Sequence, residues 1–258
     1  MDLHLTDKVF VISGGGAGIG GAISISLAKE GAIPVILGRS LLKESFVQQL
    51  TDIQPQFGYY QTELTNDEAC HQAIEATIKK YGRIDGLVNN AGVNDNVGLE
   101  ATPHEFRQSL DKNLVHYFVL MHHCLPYLKQ SQGSVVNIGS KTAVTGQGKT
   151  SAYAAANGAR MALTREWAAA LIDDGIRVNA VIPAEVMTPL YARWIDGFDN
   201  PEQKLKSITH KIPLGKRMTT LQEIADTVIF LLSNRSSHTT GQWLYVDGGY
   251  THLDRILT

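Results

Sequence analysis

The stretch that most narrows the fold lies at residues 8–31. Lys8-Val-Phe-Val-Ile-Ser13 is a short apolar run rich in β-branched residues, which predicts a buried strand. It runs straight into Gly14-Gly-Gly-Ala-Gly18-Ile-Gly20-Gly21 and then into Ala22-Ile-Ser-Ile-Ser-Leu-Ala-Lys-Glu30, whose apolar residues recur at helical spacing until Gly31. A glycine cluster alone is a weak signal, because many loops are rich in glycine. Between a strand and a helix it is a strong one. The glycines let the backbone approach a pyrophosphate, and the helix start offers unpaired N–H groups at the positive end of its dipole. Gly14, Gly18, Ile19 and Gly20 are therefore expected to cradle a dinucleotide.

The rest of the chain repeats the alternation. Strands are expected at Ile33–Leu37, Gln56–Tyr60, Ile84–Asn89, Gly133–Gly139, Gly175–Ile182 and Trp243–Val246. Helices are expected at 41–53, at 67–81 behind an Asn66 cap, from a Thr102-Pro103-His104-Glu105 capping box onward, at 151–171 and at 220–232. This order predicts an α/β fold, a doubly wound parallel sheet of the Rossmann type, with ligands at the carboxyl ends of the strands. No repeat, low-complexity tract or linker divides residues 1–258, so one domain is expected.

Composition removes several function classes. A net charge of −2 argues against a nucleic-acid or anionic-membrane surface. No apolar run approaches a membrane span, and no basic segment precedes an apolar one at the start, so a cytoplasmic protein is expected. Cys70 and Cys124 have no metal-type spacing and read as free thiols. His116, His122 and His123 share a helix but lack the spacing and the accompanying acids or cysteines of a metal site. No metal is expected.

A second stretch carries the chemistry. Ser134-Val-Val-Asn-Ile-Gly-Ser140 is a strand ending in a hydroxyl, and Ser151-Ala-Tyr153-Ala-Ala-Ala-Asn157-Gly-Ala-Arg160 is an alanine-rich helix. Tyr153 and Asn157, four apart, lie on one helix face. A serine facing a tyrosine suits proton transfer to or from an alcohol or carbonyl oxygen. At the end of the second strand stands Gly38-Arg39-Ser40. NAD-binding folds commonly place an acid there for the ribose 2′-hydroxyl, whereas a guanidinium suits a 2′-phosphate. Arg39 and Ser40 therefore point to NADP, with NAD as the alternative.

Ser140, Tyr153 thirteen residues on and a polar residue four further, together with the wide glycine turn and Asn89-Asn90-Ala91-Gly92, resemble the short-chain dehydrogenase/reductase family. The resemblance implies hydride transfer between an alcohol carbon and a nicotinamide, with Tyr153 handling the hydroxyl proton. It implies that Asn90, Ala91 and Gly92 contact the cofactor, that Glu63 and Leu64 line its adenine pocket, and that Pro183, Val186 and Thr188 lie by the nicotinamide. It makes Asn113 the asparagine that supports the catalytic group, residues 190–217 a substrate lid, and the assembly a homotetramer. The chain departs from the family at one place: Asn157 stands where the family has a catalytic lysine. A phenol has a pKa of about 10, and a unit charge about 4 Å away at an effective dielectric of about 20 is worth on the order of 4 kcal/mol. Losing it is expected to weaken activity, and a lysine restored at 157 to raise it. Lys141 and Lys149 are candidate substitutes.

Further segments, among them 85–95, 140–147, 180–189 and Tyr250-Thr-His-Leu-Asp-Arg255, resemble bacterial L-fucose dehydrogenases within that family. This implies oxidation of a 6-deoxy or related sugar at its anomeric carbon to a lactone. Asn94, Asp95, Ser140, Lys141, Thr142, Gln147 and Glu185 are the polar residues expected near such a substrate. The alternatives are a 3-oxoacyl or steroid-type reductase, against which an acid at 185 counts, and a cofactor-binding protein without chemistry.

Overall fold

The apolar runs form strands because both of their faces are covered. In the computed structural model, which describes residues 2–253, strands β1 (Val9–Ser13), β2 (Ile33–Gly38), β3 (Gly58–Gln61), β4 (Gly86–Asn89), β5 (Ser134–Ile138), β6 (Arg177–Pro183) and β7 (Trp243–Val246) make one all-parallel sheet. Their order is β3-β2-β1-β4-β5-β6-β7. This is the doubly wound sheet expected. Asp254 and Arg255, the end of one segment resembling the sugar dehydrogenases, lie outside the described residues.

Along β1, Val9 and Val11 point to one core and Phe10 and Ile12 to the other, the alternation a pleated strand imposes. With both faces buried, the strand reads as an unbroken apolar run. Helix α1 (Gly18–Lys29) and α10 (Leu221–Leu232) cover one face; α3 (Asp67–Tyr81), α5 (His116–Ser131) and α7 (Ser151–Ala170) cover the other. The caps lie where the sequence puts them: Asn66 accepts from the Ala69 N–H at 3.0 Å, and Thr102 and Thr220 close capping boxes with Glu105 and Glu223. Cys70 and Cys124 are free thiols inside the core that Val9 and Val11 face, and burial pushes the Cys70 thiol up to about 11.

Three features differ from the expectation. Helix α2 (Glu44–Ile53) starts at Glu44 rather than Leu41, because Leu42 lies over Gly16 in an extended segment. The helix behind the capping box is interrupted: α4 (Pro103–Leu110) passes through a π turn at Asp111–Val115 before α5 begins. A short helix, α6 (Thr142–Thr145), follows Ser140. The expected lid segment holds two short helices, α8 (Pro189–Asp196) and α9 (Pro201–Thr209).

Strand order reverses between β1 and β4, so the connections leaving their carboxyl ends diverge and open a crevice. A polar ladder fixes α7 beside it. Asn89 donates through Nδ2 to Asn137 Oδ1 at 3.0 Å, Asn137 donates to Thr164 Oγ1 at 3.0 Å, and Thr164 donates to the carbonyl of Arg160 at 2.8 Å. All three side chains are buried. Thr164→Val keeps the volume but strands the Asn137 amide, so it is expected to cost about 1–3 kcal/mol. Chemical denaturation should show a lower midpoint at an unchanged slope.

Candidate active site

The crevice is floored by two turns tied to one residue. Ser13, the last residue of β1, accepts through Oγ from the N–H groups of Asn90 at 2.9 Å and Ala91 at 3.1 Å. Asn90 returns its amide to the carbonyls of Ser13 at 3.0 Å and Gly14 at 3.3 Å. The glycine turn and the Asn-Asn-Ala-Gly turn are thus one unit. Gly14 has φ +67°, and a Cβ on Gly20 would collide with the Gly14 carbonyl. The N-cap of α1 is Ala17, whose side chain offers no cap. The orphan N–H groups of the first turn therefore have no side-chain cap among the described residues, which fits a pyrophosphate. Across the crevice Thr188 approaches Gly18, whose Cβ would lie 3.7 Å from it. Pro183 and Val186 are buried in the same β6 connection.

The adenosine end is open. Among the described residues nothing lies within 4 Å of where a Gly38 Cβ would be, and Arg39 and Ser40 are exposed beside it. Glu63 is exposed and its carboxylate is taken by Thr65, which donates its N–H at 3.2 Å and its hydroxyl at 3.0 Å. Leu64 is half-buried against the core. A dinucleotide fits the residues present.

Ser140 stands at the end of β5. Its Oγ accepts from the Thr142 N–H at 3.3 Å and the Thr142 hydroxyl at 3.1 Å, which leaves its own proton for another acceptor. Tyr153 is half-buried in the first turns of α7. The Tyr117 hydroxyl is pushed up to about 12, by burial first; Arg160 opposes this and the nearby phenol of Tyr153 adds to it. Asn157 faces inward and is fully buried. It donates to the Tyr153 carbonyl at 2.8 Å and accepts from Arg160 Nη1 at 3.1 Å. Asn113, in the π turn, accepts through Oδ1 from the Val93 N–H at 2.8 Å.

The other expected substrate residues divide. Lys141 and Glu185 form an ion pair, both largely buried, and Tyr191 donates its hydroxyl to the second Glu185 oxygen at 2.7 Å. The Lys141 ammonium also lies 4.0 Å from the Tyr250 ring centre. Burial first, then the bond to Glu185, pushes the Tyr191 hydroxyl up. Asn94 is half-buried and accepts from Asn96; Gln147 and Lys149 are exposed on a loop. Lys141 is thus spent on Glu185, and Lys149 is on the surface.

Two residues of the site were not foreseen. Tyr191 lies in the variable lid, where spacing carries no signal. Arg160 did leave one: Tyr153, Asn157, Arg160 and Thr164 fall on a single helical stripe, and a charge on a buried stripe needs a reason. His116, on the same side, is buried, and its ring is pushed down to about 3 by burial first and Arg160 second.

Residues 14–251 match a family profile described as enoyl-(acyl carrier protein) reductase. The chain is 32% identical over 252 residues to the 3-oxoacyl-[acyl-carrier-protein] reductase of Thermotoga maritima, covering 96% of this chain and 99% of the relative. It is 32% identical over 251 residues to the L-fucose dehydrogenase of Bos taurus, covering 96% and 91%. Among solved structures it superposes on the Cj0485 dehydrogenase with a TM-score of 0.97 at 48% identity, covering 99% and 98% of the two chains. It superposes on the aldohexose dehydrogenase of Thermoplasma acidophilum at 0.90 and 31%, covering 98% of each. The L-sorbose reductase of Gluconobacter frateurii, solved with NADPH and L-sorbose, matches at 0.93 and 26%, covering 98% and 100%.

The cradle makes a prediction that needs no substrate. Gly20→Ala drives a methyl into the Gly14 carbonyl and the Asn90 amide. Cofactor binding, read by fluorescence titration, is expected to weaken at least tenfold while α1 and the sheet stay folded by circular dichroism.

Proposed function

The chain belongs to the short-chain dehydrogenase/reductase family, and from that premise we propose that it oxidises a sugar, L-fucose or a related aldose, at the anomeric hydroxyl to the lactone, with NADP as the preferred acceptor. As a member of that family it is an NAD(P)-dependent oxidoreductase. The observation that carries the sugar reading is the Lys141–Glu185–Tyr191 cluster next to Ser140. A largely buried carboxylate and ammonium are costly to desolvate beside an acyl chain, whereas a polyol supplies hydroxyls that bond to both. The aldohexose and L-fucose dehydrogenases among its relatives support the same class.

A nicotinamide held by the glycine turn, the Asn90–Gly92 turn and Thr188 would supply the hydride acceptor for the anomeric carbon. The chain's own residues do the rest. Ser140, whose Oγ accepts from Thr142, donates a hydrogen bond to the reacting oxygen and keeps its proton. Tyr153 takes the hydroxyl proton as the C–O bond becomes C=O, and passes it on to solvent. Thr188 and the Asn90–Gly92 turn flank the cofactor, and Glu185 orients the remaining hydroxyls. Arg39 beside the open space at Gly38 supports the preference for NADP. The same reading makes the protein a cytoplasmic homotetramer; the exposed Val115 and Phe118 side chains supply apolar surface for such contacts.

One observation favours a second reading. Met187, Leu190, Trp194 and Phe198 are exposed on and around α8, and an apolar lid suits an acyl chain. An assay of nicotinamide reduction with L-fucose and an aldose panel, beside reoxidation with a 3-oxoacyl thioester, separates the two. The sugars are expected to turn over, and Tyr153→Phe to lower kcat by about 10²- to 10⁴-fold; turnover of the thioester alone overturns the sugar reading. Gly38→Asp fits the space at the end of β2 and is expected to invert the preference from NADP to NAD. Equal kcat/KM for both cofactors in the unaltered protein would show that Arg39 does not read the 2′-phosphate.

A further inference from the structure

Four segments meet at the Lys141–Glu185 pair. Lys141 follows Ser140 at the end of β5, and its N–H donates to the Pro183 carbonyl at 3.1 Å, which fastens it to β6. Glu185 lies in the connection after β6. Tyr191 comes from α8, and its hydroxyl donates to Glu185 Oε2 at 2.7 Å. Tyr250, after β7, has its ring centre 4.0 Å from the Lys141 ammonium. The start of α8 is held from the cofactor side as well. The Tyr191 N–H donates to Thr188 Oγ1 at 3.1 Å, and Thr188 is the residue that approaches Gly18 across the crevice. Tyr191 is therefore placed through its backbone by Thr188 and through its side chain by Glu185.

The cluster holds hydrogen-bonding capacity that it does not use. An ammonium has three N–H groups, and among the described residues Glu185 is the acceptor that Lys141 Nζ reaches. An ionised carboxylate has about four lone-pair sites, of which Lys141 and Tyr191 each take one. Burial, and then the bond to Glu185, hold the Tyr191 proton on its own oxygen, so Tyr191 is the donor in that bond and keeps lone pairs of its own. The Lys141 and Glu185 side chains are 11% and 13% exposed, so the cluster is neither sealed nor freely hydrated. A molecule that displaces water there meets unused donors on the Lys141 side and unused acceptors on the Tyr191 side, and it must match both or leave them unpaired. A hydroxyl both donates and accepts. A methylene does neither, and a thioester only accepts.

We propose that Lys141 and Tyr191, fastened to the two oxygens of one carboxylate, form a subsite that reads two neighbouring hydroxyls of the sugar, Lys141 donating to one oxygen and Tyr191 accepting from the other, and that Tyr191 is thereby a specificity-determining residue. The proposal rests on the sugar reading above and says which groups carry its selectivity. Glu185 acts through the other two, as the anchor that sets their spacing. The role of Tyr191 is separable from packing, because its ring meets Trp194 edge-on at 5.2 Å and a phenylalanine keeps that contact. What Tyr191→Phe removes is the oxygen.

Steady-state kinetics with a sugar that the unaltered protein oxidises, and with its 2-, 3- and 4-deoxy counterparts, test this. In the unaltered protein, analogues lacking the hydroxyl at two adjacent carbons are expected to lose at least about 100-fold in kcat/KM, because each leaves a polar group of the site unpaired. Tyr191→Phe is expected to lower kcat/KM for the full sugar about tenfold through KM, with kcat within about threefold, and to shrink the loss at one of the two carbons by about the same tenfold factor. Lys141→Met is expected to shrink the loss at the other. Should Lys141→Met not fold, because it leaves Glu185 unpaired, Lys141→Met/Glu185→Leu removes the pair together and is expected to shrink the loss at that carbon. A Tyr191→Phe that slows the sugar and all three analogues by one common factor marks a structural role and overturns this proposal alone, as does a double variant that keeps both losses. Thioester reduction with no sugar oxidised by the unaltered protein overturns the sugar reading instead.

Discussion

One buried guanidinium holds four segments of the site in register. Arg160 takes the carbonyl of Asn113 from the π turn, that of Ile138 from the end of β5 and that of Ala91 from the turn after β4, while rooted in α7. Burying a charge is expensive, and the cost is offset only when its donors are satisfied. Here carbonyl oxygens do this rather than a carboxylate. The π turn is part of the arrangement. Such a turn breaks the i→i−4 ladder, and a carbonyl released from the ladder can take an outside donor. The fork of an arginine suits this better than an ammonium, because it is planar, less strongly hydrated and able to put two N–H groups on one oxygen. The protein thus gains rigidity where the ends of β4 and β5 meet the π turn and α7.

The dinucleotide side follows a different rule: it works by leaving space. Ser13 binds the glycine turn to the Asn-Asn-Ala-Gly turn, so the reversal in strand order becomes a single rigid floor. Above it, the first turn of α1 has no side-chain cap, and among the described residues the space beside Gly38 where a Cβ would lie is empty. The substrate side is crowded and charged by comparison, with Lys141, Glu185 and Tyr191 linked beside Ser140. An open apolar and backbone cradle next to a dense polar cluster suits a bound nucleotide and a small, hydroxyl-rich partner.

Much of this was legible from residue order. The β-branched runs, the glycine turn and the capping residues at Asn66, Thr102 and Thr220 act locally, so sequence spacing carries them. The π turn at Asp111–Val115 did not show, because what stabilises it comes from Arg160, 47 residues away. The fate of the lysines did not show either. Lys141 is adjacent to Ser140 in sequence, yet Glu185 captures it from the end of the neighbouring strand. Tyr191 is placed by α8, in a segment with no periodic signal. The Asn89–Asn137–Thr164 ladder reads in sequence as three unrelated polar residues, and only the β4–β5 pairing brings them together.

The pairing of Asn157 with Arg160 changes how a missing lysine is to be understood. Read one position at a time, a neutral residue at 157 is a loss. In three dimensions, residues three apart on a helix are neighbours, and the Asn157 oxygen is already an acceptor for the guanidinium at 3.1 Å. Two cations about 4 Å apart at an effective dielectric of about 20 repel by on the order of 4 kcal/mol. With Arg160 in place, a neutral acceptor is therefore the residue the helix needs at 157, and an amide meets that need while its other end bonds the Tyr153 carbonyl.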